Sequence, residues 1–83
     1  MLDRARAALA IVEAATLETQ ALDNLGKYIW ALVLRDNAQV QLKLAEEAEA
    51  KGQGRNLTDA VHELEWLAER STANLAEARR HAA

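Results

Sequence analysis

A chain of 83 residues with no Cys, no Pro, three Gly and a formal net charge of −3 is one domain at most. Without Cys there is no disulfide framework, zinc–thiolate site or thiol nucleophile. Acidic and basic residues are intermixed, which argues against a nucleic-acid protein, whose usual footprint is a basic face. The lack of Pro and the Ala/Leu/Glu/Arg-rich composition favour helix. A domain this small buries only about 60% of its extended-chain surface and is marginal alone. Two Trp, one Tyr and no Phe leave the core to Leu, Ile, Val and Ala, so self-association is a physical expectation.

Residues 2–24 read as a first helix, with Leu2, Ala5, Leu9, Val12 and Ala15/Thr16 at three- and four-residue steps. Leu17, Leu22 and Leu25 are expected to carry this face onward. Met1-Leu2-Asp3-Arg4 opens in mixed charge rather than a long apolar stretch, so no signal peptide and a cytoplasmic location are expected. Asp23-Asn24-Leu25-Gly26 then marks a break or a kink. Asn24 or Gly26 can take a left-handed C-cap, while Asp23 and Lys27 at i,i+4 favour continuation.

Tyr28-Ile29-Trp30-Ala31-Leu32-Val33-Leu34 is the longest apolar run. It is far shorter than the roughly 20 residues of a membrane helix. An amphipathic surface helix would interrupt such a run with polar residues, so this segment is expected to be covered on more than one side, with Trp30 in the core. As a helix over 27–51, Leu25, Ile29, Leu32/Val33, Val40, Leu44 and Ala48 form one stripe. Trp30, Leu34, Ala38, Leu42 and Ala45 form a second beside it. A β-hairpin turning at Asp36-Asn37 is the alternative. The helical flank Ala45–Ala50 and the marginal stability of a lone hairpin decide for helix.

Lys51-Gly52-Gln53-Gly54-Arg55-Asn56 is the clearest boundary. Glycine ends the second helix, and Asn56 with Asp59 reads as a capping box opening a third helix over 57–80. Leu57, Ala60/Val61, Leu64, Leu67, Ser71, Leu75 and Ala78 form its seam. The short loop, residues 52–56, folds this helix back antiparallel. The expected fold is all-α: a helical hairpin with an N-terminal helix, completing a bundle by self-association, with a dimer favoured.

Chemistry is sparse. Trp66 lies about 160° from Leu64 on the helical wheel, among His62, Glu63, Glu69 and Arg70. It is a partner contact or a cover over the first helix. Asp59 and His62 at i,i+3 have metal-bundle spacing but lack the further carboxylates such sites need, so no metal is expected. Ser71, the sole Ser, has no nucleophile turn around it. Gly52-x-Gly54 lacks the rest of a dinucleotide fingerprint, so no cofactor is expected. No catalytic residue stands out, and an enzyme is disfavoured. Arg55, Arg70, Arg79, Arg80 and His81 are offset by Glu63, Glu65, Glu69 and Glu77, which disfavours a phosphate surface.

Ile29-Trp30 followed by Asp36, then Trp66-Leu67 with Arg70 and Thr72, resembles the FlaF family of small helical flagellin regulators over about a third of the chain. The chain lacks that family's Leu-Pro lead-in to its later helix, and its two Trp segments lie further apart. Membership is therefore not read from the likeness. The expectation is a non-catalytic, self-associating helical interaction module, chaperone-, regulator- or scaffold-like, with Ile29, Trp30, Leu32, Val33, Leu64 and Leu67 as core or self-association surface and Trp66 as partner contact. The alternative is a small helical enzyme or ligand-binding bundle whose pocket forms around Asp36, Asn37 and Gln39 at an oligomer interface.

Overall fold

The computed structural model describes residues 1–82 as three helices: α1 (Leu2–Gln20), α2 (Leu25–Ala50) and α3 (Gly54–Arg80). Each packs on the other two in a rod of about 48 × 15 × 14 Å. The chain runs up, down and up. Arg4–Glu65 at 2.6 Å and Glu18–Arg79 at 3.2 Å set α1 parallel to α3, and Lys27–Glu77 at 2.6 Å sets α2 antiparallel to α3. Residues 28–44 are helical, so the hairpin alternative does not occur.

Residues 1–50 form two helices rather than one bent one. α1 stops at Gln20, four residues short of the expected end, and Asn24 caps α2, accepting from the Lys27 amide at 3.2 Å. Asn24 is thus an N-cap and not a C-cap, and Gly26 lies within the first turn of α2. Asp23 precedes that helix, so Lys27 pairs with Glu77 instead. Leu17 and Leu25 are exposed, contrary to expectation. The buried face of α1 continues through Thr16 and Thr19, whose hydroxyls donate to the Val12 and Ala15 carbonyls.

The second junction is a Schellman turn. The Gly52 amide donates to the Glu49 carbonyl at 3.1 Å and the Gln53 amide to the Ala48 carbonyl at 2.8 Å, with Gly52 at φ +67°. That turn lets α3 start at Gly54, with Gln53 at its N-cap. Asn56 therefore sits inside the first turn, donating to the Gln53 side chain, and no capping box forms. An added Cβ at Gly52 would meet nothing within 4 Å, so its backbone conformation, not space, demands glycine. Gly52→Ala should cost about 1–2 kcal/mol, seen as a lower denaturation midpoint with unchanged denaturant slope.

The core is made mostly of alanine. Ala5 and Ala8 of α1, Ala38 and Ala45 of α2, and Ala60 and Ala68 of α3 cluster with Val12, Leu34, Val61, Leu64 and Leu67. Small side chains let the three axes approach closely, and the larger ones from α3 fill the centre. The expected α3 seam is the buried face from Ala60 to Ala78, with Leu57 half-buried at its start. Asn74 of this face donates to the Lys27 carbonyl at 2.9 Å, tying α3 to the first turn of α2.

Candidate functional site

The alanine core has a counterpart on the outside. On α2 the residues that face inward are Ala31, Leu34, Ala38, Ala45 and Ala48: Leu34, Ala38 and Ala45 come from the second stripe, joined by Ala31 and by Ala48 from the end of the first. Most of the larger residues of the first stripe face out. Ile29 is 53% exposed and Val40 54%, and Val33, Leu44 and Leu25 are exposed with them. Trp30 borders this stripe, also exposed rather than in the core as expected. Within the chain the apolar run is covered on one side only, through Ala31 and Leu34, with Tyr28 and Leu32 half-buried. The physical reason is that one rod of three helices has a single seam per helix, and the close-packed seam takes alanine.

Leu64 and Leu67 take the core role of the two expected for them: Leu64 is fully buried and Leu67 nearly so. Neither reaches the surface that Ile29 and Val33 share. Trp66 is 52% exposed, and by helical period it lies on the side of α3 opposite the buried face. Asp59, His62, Glu63, Glu69 and Arg70 are exposed on the same helix. Trp66 is therefore a lone apolar feature on a charged face, separate from the α2 stripe.

Asp36, Asn37 and Gln39 are exposed on α2 and line neither groove described below. Asp36 accepts from the neighbouring Arg35 guanidinium at 3.1 Å. An open groove of about 400 Å³ lies between α2 and α3, lined by Gln41, Leu44, Gln53, Asn56, Asp59 and Glu63. A second, about 260 Å³, lies between α1 and α3, lined by Arg4, Ile11, Glu65 and Glu69 among others. Both grooves are open, and the groups of shifted acidity in the second, Arg4 and Glu65, are paired with each other. Among the described residues no group of three or more His, Asp or Glu is placed to hold a metal ion. No helix among them is long and apolar enough to cross a membrane. Ser71 is buried, and its hydroxyl has no hydrogen-bond partner.

Two carboxylates depart from ordinary acidity, and both belong to clasps between helices. The Arg4 guanidinium donates to Glu65 through two nitrogens, at 2.6 and 3.1 Å, and holds its carboxyl below the usual range. The hydrogen bond from the Lys27 ammonium does the same for Glu77. A carboxylate whose folded pKa is lowered stabilises the fold above its unfolded value, 4.5 here, and the contribution is lost as pH falls through the folded value. Melting temperature should therefore drop as pH is lowered below about 4.5. In Glu65→Gln/Glu77→Gln that acid limb should flatten. Both clasps are solvent-accessible, so high salt should shrink the difference between the two proteins.

Comparison with models of protein families, with curated proteins and with solved structures finds no match to this chain.

Proposed function

We propose that this chain is a non-catalytic helical interaction module that self-associates through the outer face of α2 and offers the Trp66 face of α3 to a partner protein, in the manner of a small chaperone, regulator or scaffold subunit. One observation carries the reading: alanines fill the inside of α2 while Ile29, Val33, Val40 and Leu44 lie outside. Exposed apolar residues at helical spacing on one face of a small protein, here two pairs flanking Asp36 and Asn37, suit an interaction surface. Covering it would give this thin bundle the apolar burial that its own core lacks. Trp66, apart from that stripe, suits a second contact, because exposed Trp is enriched among residues that dominate binding energy.

A single variant tests both parts. Trp66→Ala should keep wild-type helicity and melt within a few degrees of wild type, since surface substitutions usually stay within about 0.5 kcal/mol. It also leaves Trp30 as the sole Trp. Its emission should shift to shorter wavelength, and its quenching by acrylamide should fall, as protein concentration rises. Loss of helicity would remove the outward role of Trp66. Emission fixed at the wavelength of a solvated indole at every concentration would remove self-association through α2.

A further inference from the structure

Four residues of the outer stripe of α2 form a palindrome about the Asp36–Asn37 peptide. Ile29 and Leu44 lie equally far on either side of that point, and so do Val33 and Val40. At 100° per residue, Val33 and Val40 fall about 10° to either side of the stripe's midline and Ile29 and Leu44 about 30°. All four are exposed on one uninterrupted helix. A two-fold interface requires such a self-complementary patch, in which residue i meets j while j meets i.

Resting on the self-association reading above, we infer that the occupant of this face is a second copy of the chain, with the two α2 helices antiparallel about a two-fold axis at Asp36–Asn37. Ile29 then stands level with Leu44 of the second copy, and Val33 with Val40, closing an apolar seam four layers long. Asn37 lies beside the axis and meets its own copy. An amide both donates and accepts, so two Asn37 side chains can satisfy one another, the kind of central polar pair that fixes register in paired helices. Asp36 flanks the axis on the other side, its charge already engaged by Arg35.

Charge at the ends selects the direction. Lys51, at the C-cap of α2, is exposed, and so is Asp23, just before the helix. In the antiparallel pair Lys51 of each copy stands level with Leu22 of the other, next to Asp23 in the turn before α2. A parallel pair would set Lys51 against Lys51 and Asp23 against Asp23, and would also align the two helix dipoles.

Because the chain has no Cys, cross-linking reads the geometry directly. Val33→Cys and Val40→Cys are made separately, checked for wild-type helicity, and oxidised alone and after mixing. In the antiparallel dimer the two copies of residue 33 are about 10 Å apart along the axis, one pitch for each half of the seven-residue spacing. That lies beyond the roughly 7 Å reach of a disulfide, whereas 33 and 40 face each other. The mixture should yield about tenfold more covalent dimer than either variant alone. Covalent dimer in Val33→Cys alone, at the level of the mixture, would overturn the antiparallel axis while leaving self-association through α2 intact. No covalent dimer in any sample, with a monomeric mass by light scattering at all concentrations, would remove the self-association reading itself.

Discussion

Leu64→Ala should destabilise the bundle by about 2–5 kcal/mol, the range for emptying a fully buried leucine site. Leu64 is among the largest side chains of the chain that are completely buried, and its cluster neighbours include Ala38, Ala45, Ala60 and Ala68. The alanines around it have no side chain to swing into the void, so the upper half of that range is expected. Domains of this size rarely hold more than about 5 kcal/mol, so the variant should be largely unfolded near room temperature. Urea unfolding followed by far-UV circular dichroism measures the loss. A cost below about 1 kcal/mol would mean that the α3 seam does not close the core.

Val33→Glu should leave the folded chain almost untouched and abolish its self-association. Val33 is exposed in the single chain, so a glutamate there stays solvated and replaces no core contact. In the proposed dimer the two-fold applies the change twice: two valines, each worth about 1.5 kcal/mol of burial, are lost. Two carboxylates are also brought next to an apolar seam without partners. Burial alone corresponds to a weakening of roughly 100-fold in dissociation constant, and the desolvated charges add to it. Sedimentation velocity should find a monomer where the wild type is a dimer, while helical content matches. Val33→Glu that unfolds the chain would place Val33 in the core, and one that still dimerises would move the interface elsewhere.

The contrast between these two substitutions shows where the sequence is legible. On α3 one stripe alone is apolar, so Val61, Leu64, Leu67 and Leu75 face inward with Leu57 half-buried, and the reading of that seam stands although the helix starts earlier than expected. α2 offers two adjacent apolar stripes, and hydrophobicity ranks the wrong one first. Ile29, Val33, Val40 and Leu44 outrank Leu34, Ala38 and Ala45 as apolar surface, yet the inner position goes to the residues that let helices come closest. Trp30 is misplaced for the same reason: its neighbours in sequence are apolar, but its own direction on the helix is outward.

The ends of helices follow another rule. Gly52 is legible because the left-handed turn needs glycine. Asn24 and Asn56 are both plausible caps by residue type. Only Asn24 caps a helix, because the Schellman turn at Gly52 leaves room for α3 to begin two residues before Asn56. Trp66 is legible as an outlier from its seam, and its side chain is about half exposed in the folded chain.

Molar mass by size exclusion with light scattering, over a dilution series, tests the central claim most directly. With alanines inside and the larger apolar residues of α2 outside, the account predicts twice the 9.1 kDa chain mass at high concentration, falling toward one chain on dilution. A well-folded species at 9.1 kDa throughout would contradict it, because the outer stripe of α2 would then stand open to water in the stable state of the protein.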